Sequence, residues 1–145
     1  MRVTEHEIQV RSTDMDADGI VNNARYFEYF EQARLEHLVA LEILVRPRSL
    51  EDRQRTFTIA ETSCRFRAPT RHRDRLLIRV WTEEVRQRSF IFGYEIVRVA
   101  DGMQVAVGSS AQVWLDAGGK ATLLPDSVRE ALEQSRDETQ DFASR

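Results

Sequence analysis

A single cysteine, Cys64, is the only thiol in this 145-residue chain, so no internal disulfide can form and a reducing, cytoplasmic setting is expected. No apolar run approaches the length of a membrane span, and the first residues carry no secretory signal pattern. There is no excess of basic charge: the formal net charge is −3, which argues against a nucleic-acid partner, since such binding needs a basic field. The three histidines, His6, His37 and His72, share no metal-like spacing, so no metal site is expected. Gly-x-Ser-x-Gly is missing, which argues against a serine nucleophile elbow. Internal repeats and low-complexity tracts are also absent. What remains is 41% apolar and 31% charged residues, the balance of one soluble globular domain with a real core.

The pattern along the chain reads as α+β. Residues 3–12 form a short strand with Ile8 and Val10 on one face. From Asn23 to about Val45 the spacing is helical. Arg25, Glu28, Gln32 and Glu36 make a narrow polar stripe, and most of the rest is apolar. A helix apolar around most of its circumference must be covered on most sides, and in a chain this short only a curled sheet can do that. Arg46-Pro47-Arg48 stops the helix, and residues 46–55 form a charged connection. Period-2 alternation then gives four strands: Thr56 to Ala68, the run around Leu76, Ile78 and Val80, the run Phe90 to Val97, and Val105 to Leu115. Asp101-Gly102 reads as a hairpin turn and Ala117-Gly118-Gly119-Lys120 as another. Pro125 to about Arg136 is a short amphipathic helix. The expected organisation is one domain over residues 1–136 with a polar tail, 137–145.

The most informative stretch is the turn before the long helix, Asp14-Met15-Asp16-Ala17-Asp18-Gly19-Ile20-Val21-Asn22-Asn23. It sets carboxylates and a glycine beside a helix N-terminus, where backbone N–H groups are free and the helix dipole is positive. A carboxylate facing such an oxyanion site is a minimal kit for acyl transfer. Turn and capping roles also account for these residues, since Asp and Asn are good N-caps and either Asn22 or Asn23 could serve. The same run matches the first half of a calcium loop, but the twelfth position, which should be a bidentate Glu, is Arg25. That opposes a cation.

Read together with Tyr26-Phe27 and Glu31-Gln32-Ala33-Arg34, this opening resembles the hotdog-fold acyl-CoA thioesterases, in particular the 4-hydroxybenzoyl-CoA thioesterase-like group. The likeness continues at Phe66-Arg67-Ala68-Pro69 and at Arg86-Gln87-Arg88-Ser89-Phe90, and covers roughly residues 4 to 116. The resemblance implies a hotdog fold, a five-stranded antiparallel sheet wrapped around one long central helix, with the short C-terminal helix beside it. It implies a homodimer or homotetramer with active sites at the subunit interface. By the same resemblance Asp16 is catalytic, Gly19 lets the chain turn into the helix, and the backbone N–H of Asn23 polarises the thioester carbonyl. Asp16 would act as general base or as nucleophile, and the sequence leaves both open.

The implied substrate is an acyl-CoA, hydrolysed to a carboxylic acid and CoA with no cofactor. An acyl carrier protein thioester and a non-catalytic acyl-CoA-binding module are the alternatives. The resemblance makes Arg86, Arg88 and Ser89 candidates for the nucleotide end of CoA, where guanidinium groups suit phosphates, and a solvated charged loop accounts for Arg86 and Arg88 equally well. The basic turn Arg71-His72-Arg73-Asp74-Arg75 reads as solvated. Glu31 is a secondary candidate facing the site from a partner subunit, or pairing with Arg34 along the helix. Tyr26, Phe27, Tyr29, Phe30 and Trp81 read as core, with one or two, Tyr26 among them, lining the acyl pocket.

Overall fold

The computed structural model describes residues 1–44 and 56–138. The expected helix stop at Arg46-Pro47-Arg48, the connection 46–55 and most of the polar tail lie outside the described residues. The elements are β1 (Val3–Gln9), a 3-10 turn (Ser12–Asp14), α1 (Asn23–Ala40), β2 (Phe57–Phe66), β3 (Arg75–Val85), β4 (Ser89–Arg98), β5 (Gln104–Trp114) and α2 (Asp126–Asp137). The five strands make one antiparallel sheet in the order β1-β3-β4-β5-β2. The sheet curls around α1, the hotdog arrangement that the resemblance implies. Among the described residues no helix is long and apolar enough to cross a membrane.

Alternation along the strands decides which side chains meet the helix. Leu76, Ile78 and Val80 of β3, and Phe90, Phe92, Tyr94 and Ile96 of β4, are all buried, while Leu77, Arg79 and Trp81 face outward. Trp81 is therefore not core as expected: it lies half-buried on the outer face, its indole N–H bonded to Glu83 at 2.7 Å. From the helix, Tyr26, Tyr29, Phe30, Ala33, His37 and Leu38 fill the interior. Phe30 stacks on Tyr94 with ring centroids 4.4 Å apart. Gly108 makes this approach possible, since a Cβ there would strike the Phe30 ring and the Ser63 carbonyl.

Two boundaries differ from the sequence reading. Helix α1 stops at Ala40, not near Val45. Glu42 takes a left-handed conformation (φ 62°), and the N–H groups of Leu41, Glu42, Ile43 and Leu44 fold back on carbonyls of the last turn. The apolar spacing runs on through Leu41 and Leu44, and no glycine marks the stop. Strand β1 ends at Gln9, because Val10 already bonds to Asp74 and Arg11 opens the 3-10 turn. The sheet also leaves one side of α1 open: Glu28, Glu31 and Leu35 are exposed, Leu35 by 42%.

A buried relay links the two helices through the sheet. Thr4 Oγ1 lies 2.7 Å from His37 Nδ1, His37 Nε2 lies 3.2 Å from Thr82 Oγ1, and Thr82 lies 2.7 Å from Ser135 Oγ. Ser135 donates to the Leu132 carbonyl at 2.8 Å, so its single proton is used. Thr82 must then donate to Ser135, Nε2–H of His37 must donate to Thr82, and Nδ1 must accept from Thr4. The relay works only with a neutral imidazole. Burial, with a smaller push from the Arg2 charge, pulls the His37 pKa down to about 4 from an ordinary 6.5.

A depressed histidine pKa gives stability that is full above the unfolded value and is lost as pH falls toward the folded one. Lowering the pH from 7 to 4 is thus expected to remove about 3 kcal/mol from this source. Chemical denaturation of the wild type and of His37→Gln across this range checks it, the variant showing the shallower pH dependence.

Candidate functional site

The chain from Arg11 to Asn23 is held by bonds made largely within itself. Asp14 is almost fully buried. Its carboxylate accepts from the Arg11 backbone N–H at 3.0 Å, the Arg11 guanidinium at 2.8 Å and the Tyr29 hydroxyl at 2.9 Å. Burial alone would push this carboxyl up, but the bonds from Arg11 and Tyr29 outweigh it and hold it below the usual carboxylate range. Tyr29 is correspondingly pushed up, first by burial and then by the Asp14 bond. Asp14 is thus a structural post. Asp14→Ala strands the buried Tyr29 hydroxyl and is expected to cost about 2–4 kcal/mol, read as a lowered denaturation midpoint.

Asp16, two residues on, sits differently. It is half-buried, and its backbone N–H donates to the Ile20 carbonyl at 2.8 Å. Its Oδ1 accepts from the Asp18 N–H at 2.8 Å and the Ile20 N–H at 3.5 Å, while Oδ2 accepts no bond from the described residues. Gly19 closes this small ring with φ 79°, a conformation that favours glycine. Val21 then bonds to the Thr70 carbonyl, and the Asn22 N–H to the Asp14 carbonyl, which fixes the direction in which the helix starts.

Of the two asparagines, Asn22 is the N-cap, its side chain accepting from Ala24 N–H at 3.0 Å. Asn23 is the first helical residue, and its backbone N–H has no partner among the described residues. It borders a groove of about 380 Å³ lined by Ile20, Val21, Asn23, Tyr26 and Phe66 to Pro69. One wall comes from the turn and helix, the other from the end of β2 and the residues after it. The Tyr26 ring meets Phe66 edge-on at 5.3 Å, and its hydroxyl is tied to Thr70 at 2.8 Å. Asp16 does not line this groove, but both its N–H and its Oδ1 are bonded to Ile20, which does.

The remaining candidates lie elsewhere in the single chain. Ser89 begins β4 and pairs with Val113, which pairs with Thr58 near the start of β2. The groove is at the other end of β2, roughly 25 Å away at ordinary strand rise. Arg86 is bonded to Glu84 at 3.0 Å, and Arg88 is exposed, its carbonyl accepting from Trp114. Glu31 is exposed on the open side of α1 and does not pair with Arg34, which turns inward to Tyr94. Arg75 of the basic turn pairs with Glu7. Cys64 is half-buried on β2, its thiol pushed up to about 11 by burial. No metal-binding group of His, Cys, Asp and Glu occurs among the described residues. Of the groove's lining, Ile20, Val21 and Phe66 to Pro69 were not singled out as site residues, and Arg67 among them is exposed. Its place within Phe66-Arg67-Ala68-Pro69 was the only available signal.

Comparison with known proteins finds relatives over most of the chain. The chain is similar to the long-chain acyl-CoA thioesterase FadM of Escherichia coli, 29% identical over 129 residues, 88% of this chain and 96% of that protein. It is similar to an Arabidopsis thaliana chloroplastic acyl-acyl carrier protein thioesterase, ATL3, 25% identical over 128 residues. That match takes in 86% of this chain but only 65% of the plant protein, so the chain spans just under two thirds of its length. Among solved structures, a gentisyl-coenzyme A thioesterase superposes with a TM-score of 0.76 at 29% identity, covering 90% of this chain and 99% of that one. The profile of the thioesterase-like superfamily matches residues 10–132, which takes in the turn, the central helix, all of β2 to β5 and part of α2. The chain belongs to the thioesterase-like superfamily.

Proposed function

We propose that the protein hydrolyses acyl-CoA thioesters, with the reacting carbonyl held at the Asn23 end of α1. The observation that carries this reading is the unpartnered Asn23 N–H at a helix N-terminus, opening on a partly apolar groove. The thioester oxygen accepts from that N–H, and the helix dipole stabilises the negative charge that develops on it. Asp16 supplies the carboxylate. As a base it takes a proton from water, which attacks the carbonyl carbon and expels the CoA thiolate. As a nucleophile it attacks directly, and water then opens the resulting anhydride. Either route needs only the carboxylate, the N–H and water.

The site is read as shared by two copies. Strand β2 is ten residues long and forms an edge of the sheet with no partner beyond it among the described residues. Two such edges pairing antiparallel about a twofold axis bring the Ser89 end of one copy beside the groove of the other. Arg88 and Ser89, remote from the groove within one chain, then border the groove of the other copy, near the outer part of the bound CoA.

Thiol release from a panel of aliphatic and aromatic acyl-CoA thioesters, run beside an acyl carrier protein thioester, tests the reading. At least one CoA thioester is expected to turn over with kcat/KM of about 10⁴ M⁻¹s⁻¹ or more. Tight acyl-CoA binding without thiol release would sink it, and clear preference for the carrier would move the substrate to acyl carrier protein.

A further inference from the structure

Arg34 is a buried cation without an anion. Only 7% of the residue remains exposed, and it makes no ion pair with any described residue. Its one hydrogen bond runs from Nη1 to the Tyr94 hydroxyl at 3.3 Å. That hydroxyl lies 2.6 Å from Ser110, which donates to the Gln112 side chain, which donates to the Phe90 carbonyl at 3.2 Å. Because the Ser110 proton goes to Gln112, Tyr94 must donate to Ser110. The chain of dipoles therefore ends satisfied, and every member is neutral. Nε of Arg34 is buried with no partner. Nη2 also has no partner among the described residues and, unlike Nε, is not sealed from solvent, so it is the nitrogen that a carboxylate can reach.

An arginine does not discharge itself by losing its proton, and an unpaired buried charge is strongly destabilising. Something must complete it. Arg34 does not line the groove at Asn23. Glu31 stands one turn before Arg34 on the open side of α1, exposed and unpaired among the described residues. The sheet level is informative too: Ser110 pairs with Thr62, near the middle of the unpaired β2 edge. Arg34 thus sits level with the part of the chain where a twofold axis relating two β2 edges would pass. Near such an axis the same helix recurs in opposite sense, and contacts between unlike residues occur in reciprocal pairs.

We propose that Nη2 of Arg34 receives the carboxylate of Glu31 from a second copy, giving two reciprocal ion pairs across the twofold axis. This rests on the two-copy reading of the site. It assigns Glu31 to assembly.

The test uses the full chain in a dilution series by sedimentation. Glu31→Gln should weaken the dimer at least about tenfold while circular dichroism shows the fold retained. The decisive arm mixes Glu31→Gln with Arg34→Gln and measures subunit exchange by native mass spectrometry. The mixed dimer keeps one intact pair and sets Gln against Gln at the other, so it should form in excess of random pairing. Pairing within one chain would give no such excess. A wild type that stays monomeric would remove the two-copy reading itself. A dimeric wild type with an unchanged Glu31→Gln, or with random mixing, would overturn the ion pair alone.

Discussion

Asp16→Asn is expected to lower turnover by about a hundred- to ten-thousandfold with the fold intact. An amide neither takes a proton from water nor forms an anhydride, so both routes fail together. The fold should survive because the Asn Oδ1 can still accept from the Asp18 and Ile20 N–H groups that Asp16 now holds. The melting midpoint should therefore move by only a few degrees. The contrast with Asp14 sharpens the result. Two carboxylates two residues apart should give opposite readouts, one losing chemistry and the other losing stability. Near-wild-type activity in Asp16→Asn on the best thioester would remove the assignment.

The second large effect concerns a backbone atom. Asn23→Pro deletes the one N–H assigned to the oxyanion and should reduce kcat about a hundred- to thousandfold with little change in KM. Proline is well tolerated at the first helical position, where the N–H has no helical partner. Asn22 already has the extended conformation (φ −61°, ψ 131°) that a residue before proline requires. Asn23→Ala keeps the N–H and should retain most activity. If the two variants were equally active, the oxyanion would have to be held elsewhere.

Much of this was legible in the residues because it is local. The order of elements follows from period-2 and helical spacing, and the turn before α1 follows from its carboxylates and glycine. Where the sequence reading missed, the cause was a contact between distant residues or a conformation without a marker. Helix α1 ends through Glu42 in a left-handed conformation that no glycine announces. Trp81 lies outside because the strand phase is set by Leu76, Ile78 and Val80, and one residue of phase decides the face. Arg34 reads as a helix-surface partner of Glu31 at i+3, and only the fold turns it toward Tyr94. The structural role of Asp14 was hidden for the same reason, since Tyr29 lies fifteen residues along the chain from it. Arg86, Arg88 and Ser89 lie far from the groove in one chain because β3 carries the chain from the groove end of the sheet to the opposite end before them.

The turn of Asp14 to Asn23 and the strand end of Phe66 to Pro69 meet at the groove, and the turn is tied to that wall through the backbone carbonyl of Thr70. The turn owes its shape to its own hydrogen bonds and to anchors at Arg11, Tyr29 and Thr70. The opposite wall comes from β2 and its exit, whose Phe66 is 40% exposed. Side chains in that wall can be exchanged without disturbing how the carboxylate and the N–H are presented. On the proposed function, a lineage or an engineer can therefore retune which acyl tail is accepted while the bond-breaking cassette is inherited unchanged.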